Sequence, residues 1–254
     1  MGETEFRGKG ALVTGGGRGI GRAVARLFSE RGGRVALHYR ANRGEAERTF
    51  ASLAEEGHLL VQGDVGEAEE ARRIVEEAAR GLGGLDVLVN NAGVFEEHRI
   101  DEADWEEWRR AWERTVAVNL MGPAHLCFWA ARRMMEKGGG RIVNVSSRGA
   151  FRGEPFAPAY GASKAGLNAL TGSLAKALAP RGVFVACVAP GFVETDMAEP
   201  FLHGPEGDAV RAQSPLGRPA SPEEIAELIL FLASGRCDFA TGAVVDANGA
   251  SYLR

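Results

Sequence analysis

KGALVTGGGRGIGRAVARLFSERG, Lys9 to Gly32, decides the architecture. Lys9 to Thr14 is a short apolar run that ends in glycines, and it reads as a buried strand. Past Gly21, Val24, Leu27 and Phe28 recur at helical spacing and point inward. Strand, glycine turn and helix together make a Gly-rich loop meaningful. Glycines let the backbone approach a pyrophosphate, and the helix N-terminus offers N–H groups and a positive dipole end. The spacing Gly15-x-x-x-Gly19-x-Gly21 departs from the strict G-x-G-x-x-G, and turns also use glycine for positive φ alone. The flanking strand and helix favour nucleotide binding, with Gly15, Gly17, Arg18, Gly19, Ile20 and Gly21 as the candidate contacts.

The same alternation continues along the chain. Strands are expected at Arg34–Tyr39, His58–Gln62, Leu85–Val89, Arg141–Val145, Val183–Val188 and Ala243–Asp246. Helices are expected at 44–56, Ala68–Leu82, from the Trp-rich stretch after Glu96 to just before Gly138, around Tyr160 to Ala179, and at Glu223–Leu232. No linker, composition shift or repeat divides the chain. The expectation is an α/β fold: one Rossmann-type domain over residues 1–254, with a doubly wound, seven-stranded parallel sheet. Residues 192–214, punctuated by proline and glycine, read as a substrate flap.

In such a sheet ligands bind outside the carboxyl ends of the strands. At the end of the second strand an acid would bond the adenosine ribose 2′-hydroxyl. Here Arg40 follows Tyr39, no acid appears before Glu45, and Arg18 can face the same point. Cations there suit a 2′-phosphate, so NADP(H) is favoured over NAD(H). Asp64, after the third strand, either accepts from the adenine amino group or caps the next helix. Asn91, Ala92 and Gly93 close the fourth strand with small residues that permit approach of a flat ligand. Asn119 is either a helix-kinking core amide or a site residue. The stripe Trp105, Trp108, Trp112 reads as helix packing.

Ser147 to Lys164, SRGAFRGEPFAPAYGASK, carries the chemistry. Tyr160 and Lys164 are four apart at the start of a helix and share a face. A nearby cation favours phenolate and lowers a tyrosine pKa from its usual value of about 10, which suits carbonyl–alcohol chemistry. The Ser147 hydroxyl, just after a strand, is placed to hold a substrate oxygen. Such a pair is often only a surface contact, but lysine is rare here, at Lys9, Lys137, Lys164 and Lys176.

Composition sets outer limits. Net charge is −4, so no basic field recruits nucleic acid or an anionic membrane. No apolar run has the length of a membrane span. The start, MGETEFRGKG, lacks the apolar run of a secretory signal. Cys127, Cys187 and Cys237 are odd in number and read as core thiols of a reducing compartment, so a cytoplasmic location is expected. The five histidines show no ligand spacing and read as structural or surface residues.

Four separated motifs together resemble the short-chain dehydrogenase/reductase family along almost the whole chain: Thr14–Gly21 (TGxxxGxG), Asn90–Gly93 (NNAG), Tyr160–Lys164 (YxxxK) with Ser147 upstream, and Pro190-Gly191 with Thr195 (PGxxxT). The resemblance implies Tyr160 as general acid or base, Lys164 on the nicotinamide ribose and lowering the Tyr160 pKa, Ser147 on the carbonyl, and Asn119 holding a relay water. It also implies cofactor contacts from Asp64, Val65, Asn91, Ala92, Gly93, Pro190, Gly191, Val193 and Thr195, and a homotetramer built on the helices around 119–137 and 157–179. APGFVETDM, Ala189 to Met197, is most similar to the 3-oxoacyl-acyl-carrier-protein reductases. The substrate implied is a small carbonyl or alcohol compound, with an acyl thioester as one form. The alternative within the family is an NAD-linked alcohol or sugar dehydrogenase. A nucleotide-sensing regulator without chemistry has no need of Ser147, Tyr160, Lys164 and Asn119 together.

Overall fold

The computed structural model describes residues 4–54, 56–203 and 207–254. Seven strands run parallel in one sheet: β1 (Gly10–Val13), β2 (Arg34–Tyr39), β3 (Leu59–Gln62), β4 (Val87–Asn90), β5 (Gly140–Val145), β6 (Val183–Pro190) and β7 (Val244–Ala247). Their order is β3-β2-β1-β4-β5-β6-β7, so the doubly wound sheet is as expected. The chain leaves β1 toward β2 on one side and returns to β4 on the other. This reversal between β1 and β4 is the switch point at which such sheets bind ligands.

Helices cover both faces, as a sheet of continuous apolar strands requires. On one face α1 (Gly19–Glu30) packs against α10 (Pro222–Ala233). Val24, Phe28, Ile225 and Ile229 join Val13, Val89 and Val188 in that core layer. On the other face lie α3 (Ala68–Leu82), α5 (Gly122–Glu136) and α7 (Pro158–Leu178). Ile74, Leu82, Leu126 and Met134 there pack on Leu12, Leu88 and Ile142. Phe28 is fully buried and stacks on Phe6 at 4.3 Å, a burial that contributes roughly 1.5–3 kcal/mol.

Several boundaries differ from expectation for local reasons. α2 (Arg43–Ala51) starts where Asn42 accepts from the Glu45 amide, and it stops earlier than residue 56. Ser52 Oγ takes up the Thr49 carbonyl at 2.7 Å and so ends the helix. The Trp-rich helix, α4 (Trp105–Val116), begins well after Glu96, where Asp104 and Glu107 form a capping box. Trp108 and Trp112 pack on His98, but Trp105 is exposed, so the aromatic stripe is two residues long. α4 runs into α5 through a π-helical turn, Ala117–Met121, which holds Asn119. The flap contributes α8 (Glu199–Leu202) and α9 (Gly207–Ala212), and its residues 204–206 lie outside the described residues. A short helix α6 (Gly149–Arg152) follows Ser147. Among the described residues no helix is long and apolar enough to cross a membrane.

Candidate active site

The glycine turn sits at the carboxyl end of β1, and its backbone needs glycine. Gly15 and Gly19 have φ of +63° and +51°, which side-chain-bearing residues rarely adopt. A Cβ on Gly21 would lie 2.3 Å from the Gly15 carbonyl oxygen, and one on Gly19 would lie 2.9 Å from Thr195 Cγ2. The turn is thus closed on itself and roofed by the first residues of the flap. Ile20 packs on the core beneath. Gly17 faces α2, where its carbonyl accepts from Thr49 Oγ1 at 2.9 Å.

Thr14 joins this turn to the end of β4. Its hydroxyl donates to the Val89 carbonyl (3.2 Å) and accepts from the Asn91 and Ala92 amides (3.0 Å each). Asn91 Nδ2 donates to the Thr14 and Gly15 carbonyls at 2.9 and 3.2 Å. Residues 91–93 are therefore held against the glycine turn by paired polar groups.

A histidine completes the cradle, and the sequence reading gave it no specific part. His38 is 2% exposed. Its Nδ1 accepts from the Gly15 amide at 3.3 Å, which leaves Nε2 as the donor to the Gly63 carbonyl at 3.0 Å. The His38 carbonyl accepts from the Gly16 amide at 2.9 Å. Burial lowers its pKa to about 4, so the ring is neutral at pH 7. The sequence signal was available: a polar residue inside the apolar run RVALHY.

Arg40 stands at the end of β2 as expected, but it is paired with Asp64 at 3.4 Å. Asp64 also pairs with Arg114 at 2.9 Å and accepts from the Gly66 amide. Glu67, not Asp64, precedes α3 as its cap residue. Arg18 pairs with Asp196 of the flap at 3.0 Å. Val65 is buried beneath, against Gly122.

Ser147, Tyr160 and Lys164 come together beyond the carboxyl end of β5. Ser147 Oγ accepts from the Gly149 amide at 3.0 Å, which orients the hydroxyl. Lys164 is buried, donates from Nζ to the Val145 carbonyl at 2.8 Å, and lies 5.7 Å from the Tyr160 ring centre. Burial pulls its pKa down to about 8. Burial also pushes the Tyr160 phenol up to about 12; the Ser147 hydroxyl acts the other way, and the Glu154 charge adds to the rise. The net shift of Tyr160 is thus upward, where the expected effect of Lys164 alone is a lowering. The ammonium is committed to a carbonyl, and desolvation of the phenolate outweighs it.

Asn119 is fully buried, and its amide clasps the backbone of Val94. Oδ1 accepts from the Val94 amide and Nδ2 donates to its carbonyl, both at 2.9 Å. Nδ2 also reaches Ser163 Oγ at 3.3 Å, and that hydroxyl donates to the Tyr160 carbonyl. A Cβ on Gly93 would lie 3.3 Å from Asn119 Oδ1 and 3.6 Å from Lys164 Nζ. The bare glycine leaves a space bounded by both residues.

Pro190, the last residue of β6, and Gly191 lead into the flap. The Pro190 carbonyl accepts from the Arg148 amide, and Gly191 donates to Ala247. Val193 forms a bridge with Ala220. From there a line of aromatics covers the phenol: Phe192 is 6.2 Å from Phe201, Phe201 is 5.5 Å from Phe95, and Phe95 is 5.1 Å from Tyr160. The wall facing Tyr160 is apolar. Among the described residues no cluster of three or more His, Cys, Asp or Glu could hold a metal ion.

The chain as a whole has counterparts among known proteins. The family model described as enoyl-(acyl carrier protein) reductase matches residues 15–249. An oxidoreductase of Methylorubrum extorquens is 37% identical over 97% of this chain and 98% of its own. The 3-oxoacyl-[acyl-carrier-protein] reductase FabG of Aquifex aeolicus is 38% identical over 98% of this chain and 100% of its own. A short-chain dehydrogenase from Burkholderia cenocepacia, solved in complex with NADP, superposes with a TM-score of 0.87 at 32% identity, covering 98% of this chain and 99% of that one. The chain belongs to the short-chain dehydrogenase/reductase family. It is an oxidoreductase that uses a nicotinamide cofactor on a carbonyl–alcohol pair.

Proposed function

We propose that the chain reduces ketones or 3-oxoacyl thioesters and takes NADP(H) in preference to NAD(H). The observation that carries this reading is the meeting of the Tyr160 phenol, the Ser147 hydroxyl and the buried Lys164 ammonium under an apolar wall. The phenol is protonated at neutral pH, as a proton donor in the reductive direction must be. Its high pKa makes it a weak acid, and the Lys164 charge 5.7 Å from its ring is the group that favours phenolate as the proton leaves. When bound, NADPH supplies the hydride to the carbonyl carbon. Ser147 holds the carbonyl oxygen, and Tyr160 gives that oxygen its proton. Lys164 binds the nicotinamide ribose, and a water beside Gly93, within reach of Lys164 and Asn119, returns the proton to the phenol. The conformations of Gly15 and Gly19, and the space at Gly93, fit a dinucleotide laid across the β1–β4 reversal. Asp64, Val65, Asn91 and Ala92 flank its adenosine half, with Val193 and Thr195 at the carboxamide.

The preference for the 2′-phosphate rests on Arg40 and Arg18. Both are more than half exposed, and both are held only by surface ion pairs, each worth about 0–1 kcal/mol. A phosphate exchanges for such partners readily. The NADP complex of the Burkholderia relative supports this choice of cofactor, and the FabG relative supports the acyl thioester. The aromatic line from Phe192 to Phe95 favours an acyl or alkyl ketone over a sugar. Exposed Met121 and Phe128, at the π-helical turn and on α5, support a homotetramer through that face. The free thiols Cys127 and Cys187, both buried, fit a cytoplasmic enzyme.

The test is NADPH oxidation with an acetoacetyl thioester, for wild type and Tyr160→Phe, alongside NADPH binding by nicotinamide fluorescence. The reading requires turnover by the wild type, loss of at least about 10²-fold in the variant, and NADPH binding kept in both. Equal turnover in the variant would remove Tyr160 from the chemistry.

A further inference from the structure

Arg148 follows Ser147 directly, yet its side chain belongs to no part of the site described above. It is only 4% exposed. Its guanidinium lies over the Phe192 ring at 4.8 Å, and Nη2 donates to Gln213 Oε1 at 2.6 Å. Among the described residues Nε and Nη1 make no hydrogen bond, and the group forms no ion pair. The acids nearby are already taken: Glu154 pairs with Arg152 at 3.6 Å, and Glu224 accepts two bonds from Arg218 at 2.7 Å each. Buried cations are normally paired, since an unpaired one is strongly disfavoured in a poorly solvated site. Burial accordingly pulls the Arg148 pKa down to about 10, still well above neutrality.

The guanidinium borders a cavity of about 190 Å³, between the flap and the segment after β7. Arg148, Phe192, Gln213, Ser214, Asn248 and Ser251 lie on its wall. The volume is far above the roughly 10–15 Å³ that one water needs. Gln213 Oε1 is used by Arg148 and Arg152, so its amide nitrogen remains as a second donor. The hydroxyls of Ser214 and Ser251 donate to the carbonyls of Gly249 and Asn248, and their oxygens can still accept. The wall thus presents three arginines, of which Arg148 has unused N–H groups, with an amide donor, one aromatic ring and the Glu224 carboxylate, which is paired with Arg218.

We propose that this cavity binds a small oxyanion, a carboxylate or a phosphate, that pairs with Arg148 and ties the flap to the loop bearing Ser147. A planar guanidinium with two free N–H directions matches such a group in bidentate fashion. Because Gln213 is on the flap and Arg148 adjoins Ser147, an anion held by both joins Gln213 to the loop that bears Ser147. The binding itself does not depend on the cofactor or on the proposed substrate.

The test is thermal unfolding of the full chain, free of cofactor, titrated with sodium phosphate or sodium acetate against sodium chloride at matched ionic strength. Wild type, Arg148→Met and Arg148→Lys are compared. The expected result is a saturable rise in Tm with one oxyanion, absent in Arg148→Met and partly kept in Arg148→Lys. No saturable rise up to tens of millimolar, or the same rise in Arg148→Met, would overturn the proposal. Should Arg148→Met fail to fold, exposed Gln213→Ala takes its place, with a several-fold weaker midpoint expected and an unchanged midpoint counting against the site. Steady-state kinetics then separate the two sources. Competition between the anion and the ketone identifies the anionic end of a substrate, and a change in kcat without competition identifies a separate effector.

Discussion

The ammonium of Lys164 donates to the Val145 carbonyl at 2.8 Å and so ties α7 to the last residue of β5. The bond satisfies one donor, but the charge is still desolvated, and the pKa falls from 10.5 to about 8. Between those values the unfolded chain holds a proton that the folded chain has lost. Stability therefore rises with pH across that window, by up to about 3 kcal/mol at about 1.4 kcal/mol per unit. Tyr160 acts oppositely. Its pKa is raised from 10 to about 12, so the folded chain keeps a proton that the unfolded chain loses, and stability falls with pH between them. The buried thiols Cys127 and Cys187, raised from 9 to about 12 and about 11, act as Tyr160 does from pH 9 upward. Urea denaturation of the wild type should therefore show stability climbing from pH 8 to about 9 and declining above. Lys164→Met should be flat over the climb, and an unchanged slope in that variant would assign it elsewhere.

His38 sets the acid limb. Its pKa falls from 6.5 to about 4 because the buried ring resists charge. The unfolded chain takes up a proton first as pH drops, so stability is full above 6.5 and is lost progressively down to about 4. The loss reaches about 3 kcal/mol at about 1.4 kcal/mol per unit. Protonated Nδ1 can no longer accept from the Gly15 amide, so the glycine turn loosens with the fold. His38→Asn keeps an acceptor near Nδ1 and should retain cofactor binding while losing this pH dependence. His38→Ala should lose both, as read by nicotinamide fluorescence and denaturation at pH 5 and 7.

Why His38 escaped the sequence reading while Tyr160 did not is a matter of partners. Tyr160 and Lys164 are joined by helical spacing, which is local and visible. His38 works on Gly15 and Gly63, neighbours only once β1, β2 and β3 are side by side. The strands themselves were legible from apolar runs, and β2 matches its expected bounds. Their order across the sheet is set by crossovers that no single segment encodes. Arg40 was placed at the correct strand end, but its pairing with Asp64, and that of Asp64 with Arg114, link parts of the chain far apart in sequence. Asn119 is a buried amide bonded to Val94 in the loop after β4, a contact that its place in the sequence does not show.

Arg40→Ala should weaken NADPH binding by about ten- to a hundred-fold, the loss of one charge-assisted contact of about 1.5–3 kcal/mol. NADH binding should change little, because no 2′-phosphate is present to lose the contact. Asp64 keeps its pair with Arg114 in the variant, so the surrounding loop should hold. Fluorescence titration with both nucleotides checks this. Equal weakening of both would mean that Arg40 acts through Asp64 and not on the phosphate.

Asn119→Ala removes two bonds to Val94 and one to Ser163. It leaves the Val94 amide and carbonyl without their side-chain partner. Stranding buried polar groups costs about 1–3 kcal/mol each, so the variant should lose roughly 2–4 kcal/mol in urea denaturation. Asn119→Asp retains the acceptor for the Val94 amide but sets a carboxylate against the Val94 carbonyl and should be no more stable than the alanine variant. Val94 follows Gly93 directly, so a slack loop spoils the space between Lys164 and Asn119. The alanine variant should therefore bind nicotinamide cofactor several-fold more weakly even at a temperature where it is fully folded. Tight binding in a destabilised variant would confine Asn119 to the fold and remove it from the site.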